Sequence, residues 1–223
     1  MNFNPARIEL LIWDLDGTLV DSAADLASSV NYVIEQHGGT PLAEFRIRGM
    51  VGNGVAKLLD RALHAAGLDS HAIDSEDAWR QFSAHYETNC IATTACYAGV
   101  EQTLRTLQQR GYRHAICTNK PAGMAKTIVE HLHLQDLFGH ITGGDSTEHR
   151  KPHRAPMLDC LAGMSATAQV ALMIGDSAAD VGVARAADIP VFVVPYGYTK
   201  TPAEELGADK VIKNASELLS ILR

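Results

Sequence analysis

No stretch of this 223-residue chain approaches the ~18 consecutive apolar residues that a membrane-spanning helix needs. The first apolar stretch, after Arg7, is cut by Glu9 and Asp14 and has no small-residue cleavage site, so no secretory leader is expected. Cysteine is scarce and dispersed. Cys90, Cys96, Cys117 and Cys160 form no C-x-x-C pair, which excludes a disulfide framework and predicts reduced thiols in the cytoplasm. Positive charge is in deficit: 19 Lys+Arg against 26 Asp+Glu give a formal net charge of −7. That is the wrong sign for gripping nucleic acid or for docking on an anionic membrane surface. The sequence also lacks H-E-x-x-H, Walker and dinucleotide fingerprints. Of its histidines, His131 and His133 fall on different helix faces and Pro152 separates His149 from His153, so no zinc site is expected.

What remains is an ordinary globular composition, 46% hydrophobic and 20% charged. A chain of this length removes roughly 70% of its extended surface from water on folding and needs no disulfides to hold a core. Four short apolar runs read as strands: Ile8–Trp13, His114–Cys117, Val170–Ile174 and Val191–Val194. They are nearly continuous rather than alternating, as parallel strands covered on both faces are. Helical stripes lie between them, with Val100, Leu104 and Leu107 on one face and Met124, Ile128, Val129 and Leu132 on another. A last helix carries Leu218, Leu219 and Leu222, with Asn214 or Ser216 as its expected cap. The alternation predicts an α/β fold with a doubly wound parallel sheet. Residues 21–90 break it: Leu26, Val30, Val33 and Ile34 form one helical stripe, Val55, Leu58, Leu59, Ala62, Leu63 and Ala66 a stronger one, and Ser75–Thr88 reads as a further helix. With no strand recognised among them, these residues are expected to form a helical insertion over one sheet edge. The rest, 1–20 and 91–223, forms a discontinuous Rossmann-like core.

In open α/β sheets ligands bind beyond the carboxyl ends of the strands. The first strand ends in Asp14-Leu15-Asp16-Gly17-Thr18, and on extended backbone Asp14 and Asp16 leave from the same side. The second ends in Thr118-Asn119-Lys120, a loop carries Lys151-Pro152, and the run Val170–Ile174 ends in Gly175-Asp176-Ser177 with Asp180 one turn into the next helix. Carboxylates brought together at one edge repel strongly, and a cation relieves them. All-oxygen ligation by few protein groups suits Mg²⁺, which keeps its waters and shares phosphate oxygens.

These motifs resemble the four signatures of the haloacid dehalogenase superfamily, and the resemblance runs the full length of the chain, including a helical cap inserted after the first motif. Dehalogenases of this group lack the second aspartate, so Asp16 points to phosphate chemistry. The resemblance implies Asp14 as nucleophile, Asp16 as acid and then base, and Lys151, Thr118 and Asn119 as holders of the phosphoryl oxygens. It implies Mg²⁺ bound by Asp14, the Asp16 main-chain carbonyl and Asp176, with Asp180 orienting Lys151 or a metal-bound water. For its acid role the pKa of Asp16 is expected to be raised by like-charged neighbours.

The glycine-rich stretch Arg46–Gly54 leads into the strongest helical stripe and offers an anion seat at a helix N-terminus, with Gly52 and Asn53 the expected contacts. Arg46, Arg48, Lys57 and Arg61 read as solvated charges. Val51-Gly52-Asn53-Gly54, Thr118-Asn119-Lys120-Pro121, Gly143-Gly144-Asp145, Lys151-Pro152-His153 and Tyr196-Gly197-Tyr198 are similar to the phosphoglycolate phosphatase group. That similarity implies 2-phosphoglycolate, a small phosphorylated metabolite, as substrate of a monomer or homodimer. Other small phosphate esters, sugar phosphates or nucleotides are the alternatives, as is a phosphosugar mutase. Two departures stand out: Arg154 replaces a common proline and adds charge near the site, and Ala187-Asp188 replaces Ala-Gly at a left-handed helix end.

Overall fold

The structure, a computed structural model, describes residues 4–70 and 72–222. In chain order it begins with β1 (Leu10–Trp13), β2 (Val20–Asp21) and four helices: α1 (Ala23–Gln36), α2 (Glu44–Arg48), α3 (Val55–Ala65) and α4 (Ser75–Asn89). Then come β3 (Ala95–Cys96), α5 (Val100–Gln109), β4 (Arg113–Cys117), α6 (Ala122–His131), β5 (Phe138–Thr142) and α7 (Ala155–Gly163). The chain closes with β6 (Ala171–Gly175), α8 (Ala178–Ala186), β7 (Val191–Val193), β8 (Lys210–Val211) and α9 (Leu218–Ile221).

Six strands form one parallel sheet in the order β5-β4-β1-β6-β7-β8. Numbered along the core alone this is 3-2-1-4-5-6, the doubly wound order, whose crevice opens between β1 and β6. Strand alternation divides the interior into two layers. Leu11 and Trp13 face α5, α6 and the helical insertion, whereas Leu10 and Ile12 face α7 and α8. Within the first layer, Trp13 Nε1 donates to His114 Nδ1 at 3.1 Å, and His114 Nε2 meets the Leu104 carbonyl at 3.1 Å. Burial pushes the His114 pKa down to about 4, so the ring is held neutral.

All four sequence-marked strands are present. The strands that sequence patterning does not mark lie at the sheet edges: β5 (Phe-Gly-His-Ile-Thr) is only half-buried and β8 has two residues. The stretch around the insertion also holds a strand pair. Val20 and Asp21 pair antiparallel with Cys96 and Ala95, so the helices leave and return through one short ribbon. The return is pinned by Asp25 of α1, whose buried carboxylate accepts from the backbone N–H and hydroxyl of both Thr93 and Thr94. Inside the insertion, the start of the expected glycine loop is the helix α2. At the C-terminus neither Asn214 nor Ser216 caps a helix: the Ser216 hydroxyl donates to the Asn214 side chain, a 3₁₀ turn follows, and α9 is four residues long. Asp188 takes φ 57°, the left-handed conformation expected of it.

Candidate active site

Asp14 leaves the end of β1 and Asp176 the end of β6, on either side of the crevice. Asp14, Asp176 and Asp180 are buried, and one carboxylate oxygen of each lies within 4.8 Å of the others. Lys151 Nζ sits among them, 2.9 Å from Asp14 Oδ1 and 2.7 Å from Asp180 Oδ1, and also donates to the Cys117 carbonyl at 2.8 Å. Asp180 is fully used. Its Oδ2 accepts from the Asp176 and Ser177 N–H groups at 3.1 and 3.0 Å and from the Ser177 hydroxyl at 2.7 Å, a capping box at the start of α8. Asp14 Oδ1 accepts from the Leu15 N–H at 2.8 Å, while its Oδ2 accepts no hydrogen bond among the described residues. Burial, with the Asp180 charge second, pushes Asp14 up to about 6 and Asp176 up to about 8.

Small residues make this crowding possible. Gly17 turns the chain after Asp16 with φ 86°, and a Cβ there would stand 2.7 Å from Asp176 Oδ2. A Cβ on Gly197 would come within 2.1 Å of the same oxygen, which accepts from the Tyr198 N–H at 2.7 Å. Close approach of backbone to carboxylate is what glycine permits at both places.

Asp16 is placed beside this cluster but in different company. Its Oδ1 accepts from the Ser22 hydroxyl at 2.5 Å, and both of its oxygens lie 2.9 Å from Lys120 Nζ. The expected like-charged neighbour is therefore a buried ion pair, because Lys120 reaches across from the turn after β4. Burial alone would lower the Lys120 pKa, but Asp16 and Tyr86 of α4 more than offset it and raise the pKa. The Lys120 ammonium also lies 4.8 Å over the Tyr86 ring.

Thr118 presents its hydroxyl as acceptor to the Lys120 N–H at 3.2 Å, and among the described residues the hydroxyl proton is left for a ligand. Asn119 lines the cleft at the strand ends, with its side chain turned to the backbone. Its amide donates to the Gly52 and Lys151 carbonyls at 3.0 and 3.1 Å, and its oxygen accepts from the Lys151 N–H at 2.9 Å. Asn119 thus ties the lysine loop to the insertion.

A cleft runs between the strand ends and the insertion, lined by Asp14, Asp16, Thr118, Asn119 and Lys120 below and by Leu26, Val51, Gly52, Gly54, Val55 and Leu58 above. Gly52 is where the sequence places it. Asn53 is exposed, accepts from Arg61 at 2.8 Å, and lines an adjoining cavity of about 210 Å³ that shares Asp16, Val51 and Gly52 with the cleft and reaches Asp176. Two of the arginines are not free. Arg61 also donates to the Met50 carbonyl at 3.0 Å, and Arg48 pairs with Asp21 at 3.0 Å beneath Tyr97 and Tyr198. Arg154 and His153 are exposed, so the expected extra charge near the site points to solvent. Sequence reasoning passes over Ser22, and it meets Lys120 and Tyr198 within motifs without giving either a role. Tyr198 bonds through its hydroxyl with the Ser22 N–H at 2.6 Å and with Asp21 at 2.9 Å.

The donor set fits a divalent metal. Three buried carboxylates face one lysine, an excess of two negative charges once all three are ionised, in a hard all-oxygen environment.

The profile of the haloacid dehalogenase-like hydrolase family matches residues 11–194. A phosphoglycolate phosphatase of Rhodospirillum rubrum is 39% identical over 213 residues, covering 93% of this chain and 88% of its own. One from Chromobacterium violaceum is 36% identical and covers 99% of both chains. Among solved structures, a predicted phosphoglycolate phosphatase from Haemophilus somnus superposes with TM-score 0.91 at 29% identity, covering 97% of this chain and 99% of its own. With the strand order and acidic cluster, these matches make the chain a phosphatase-type enzyme that belongs to the haloacid dehalogenase-like hydrolase family.

Proposed function

We propose that the protein is a Mg²⁺-dependent phosphomonoester hydrolase that works through an aspartyl-phosphate on Asp14, with 2-phosphoglycolate as substrate and glycolate and orthophosphate as products. One observation carries this reading. Asp14 lines the cleft with Oδ1 fixed by Leu15 and Lys151 and with Oδ2 accepting no hydrogen bond among the described residues. A carboxylate held by one oxygen presents the other as a nucleophile, and once ionised Asp14 needs no base. The names of the relatives support the substrate, and the narrow cleft suits a small one.

Asp14, the Asp16 main-chain carbonyl and Asp176 would hold Mg²⁺, which offsets charge between nucleophile and phosphate when bound. Lys151, already aimed at Asp14, stabilises the phosphoryl oxygens as charge shifts in the transition state, and the Thr118 hydroxyl donates to them. Asp180 holds Lys151 in place. Asp16 protonates the leaving alkoxide and then takes a proton from the hydrolytic water. Residues 21–90 act as the cap, closing over the cleft and excluding water, while 1–20 and 91–223 form the catalytic core. The unpaired Cys90, Cys96, Cys117 and Cys160 support a reducing, cytoplasmic setting, and the enzyme works as a monomer or homodimer.

The test is Asp14→Asn with rapid acid quenching of ³²P-labelled substrate. The wild type should carry label on Asp14 and the variant none, with kcat falling at least ~10³-fold, about 4 kcal/mol. EDTA should abolish wild-type turnover and Mg²⁺ restore it. More than a few per cent of activity left in the variant would remove the covalent mechanism.

A further inference from the structure

We propose that Lys120 is the residue that reads the second anionic group of the substrate, exchanging Asp16 for the substrate's carboxylate when the ester binds. The inference rests on the reading of the cleft as the site for 2-phosphoglycolate and names the contact that selects that substrate.

A carboxylate that enters a narrow cleft loses water and must find a cation or several donors there. Among the described lining residues Lys120 is the single cation. The upper wall, Leu26, Val51, Val55 and Leu58, offers no side-chain donor. Of the other nearby cations, Lys151 is held by Asp14, Asp180 and the Cys117 carbonyl, Arg48 by Asp21 and Tyr97, Arg61 by Met50 and Asn53, and Arg150 donates to the Gly144 carbonyl, while Lys200 lines the adjoining cavity and not the cleft. Both Lys120 and Lys151 pair with groups that line the cleft, but Lys151 is shared between Asp14, Asp180 and a carbonyl at the phosphoryl end, whereas Lys120 has one carboxylate partner, Asp16, at 2.9 Å to both oxygens. A buried ammonium whose partner is a carboxylate at the ligand's position can pass to the ligand's carboxylate without losing ion pairing, while Asp16 keeps the Ser22 hydroxyl. The Tyr86 ring under the ammonium holds the cation at this height in either state.

Spacing supports the same assignment. Thr118 and Lys120 are two residues apart on one turn, joined by the Lys120 N–H to Thr118 hydroxyl bond of 3.2 Å. Asp14, Thr118 and Lys120 line one cleft, so a ligand with its phosphoryl group at the first two can present a carboxylate to the third, and an uncharged alcohol cannot.

The experiment compares kcat/KM for 2-phosphoglycolate with that for 2-hydroxyethyl phosphate, the neutral ester of the same length, in the wild type and in Lys120→Met and Lys120→Arg. The wild type should prefer the carboxylate ester by about 10²-fold, the scale of one hydrogen-bonded charge pair. Lys120→Met should bring that ratio to within a few-fold of one, whatever happens to the absolute rates, and Lys120→Arg should keep most of it. Should the Met variant fail to fold by circular dichroism, Lys120→Gln supplies the same ratio. A preference that survives intact in Lys120→Met or Lys120→Gln overturns the role of Lys120 and leaves the substrate standing. A wild type with no preference for the carboxylate ester overturns the substrate reading, and this inference with it.

Discussion

Replacing Asp180 by asparagine tests whether the acidic cluster is held by one carboxylate with two duties. The native side chain turns Oδ1 to Lys151 at 2.7 Å and Oδ2 to three donors, the N–H groups of Asp176 and Ser177 and the Ser177 hydroxyl. Asparagine has one acceptor oxygen and one amide nitrogen of nearly the same shape. Turned one way, its NH₂ faces two backbone N–H groups that lose their partner. Turned the other way, it faces the Lys151 ammonium. Neither rotamer satisfies both sides, and Asp180 is fully buried, so water cannot repair the loss. Breaking a buried ion pair costs about 3–5 kcal/mol. Against this, removal of the Asp180 charge relieves Asp14 and Asp176, whose pKa values it helps to raise. The net expectation is a loss of about 3 kcal/mol, a large share of a typical domain's 5–15 kcal/mol. Urea unfolding at pH 7 in EDTA, followed by circular dichroism, measures it. Ser177→Ala removes a single capping hydroxyl and should lose about 1 kcal/mol under the same conditions. Asp180→Asn should also lower kcat at least tenfold, because Lys151 loses its second anchor. A variant that is destabilised by less than 1 kcal/mol would show that this buried network contributes nothing net.

Two further expectations concern pH and have opposite signs. Asp14 and Asp176 sit at about 6 and about 8 in the folded state against 3.8 for the free group. The folded protein therefore binds extra protons, and the contribution is complete below pH 3.8 and lost as pH rises through 6 and 8. The melting temperature of metal-free protein should fall between pH 6 and 8.5, Mg²⁺ should narrow the fall, and Asp176→Asn should flatten it; a flat metal-free wild-type profile would contradict the burial argument. His114 runs the other way. Its folded pKa of about 4 lies below the ordinary 6.5, so its contribution is present above pH 6.5 and is lost as pH falls toward 4, by about 3 kcal/mol over that window. Urea midpoints of wild type and His114→Gln at pH 7 and pH 4.5 isolate it, and parallel curves for the two proteins would refute it.

The central strands were readable because burial on both faces leaves a continuous apolar signature, as in Leu10–Trp13 and Ala171–Gly175. The edge strand Phe138–Thr142 escapes that test, since a glycine and a histidine interrupt it and one side stays half-exposed. Asp14, Thr118, Lys151 and Asp176 were readable for a different reason: each follows an apolar run or a proline-marked loop, and strand ends are where an α/β sheet gathers chemistry. Ser22 carries no such mark, and Lys120 and Tyr198, though they stand in strand-end and loop motifs, carry none for the partners they take. Their positions depend on how the turn after β4, the start of α1 and the turn after β7 converge, and one-dimensional spacing holds nothing of that. Asn119 was legible as a residue of the cleft, but the use of its side chain was not, because that side chain bonds two backbone carbonyls and one amide from separate parts of the chain.

The antiparallel pairing of Val20 with Cys96 gives the molecule a single doorway. Partners across such a ladder are about 5 Å apart, the width that a two-residue hairpin turn closes. Residues 22–94 are thus a detachable storey: excising them and joining the ribbon by Asn-Gly would leave the connectivity of the six-stranded sheet untouched. The apolar surface that α1 covers would need polar replacements. The same doorway would accept an insertion of another size, so the segment between the two ribbon strands can vary while the sheet keeps its order.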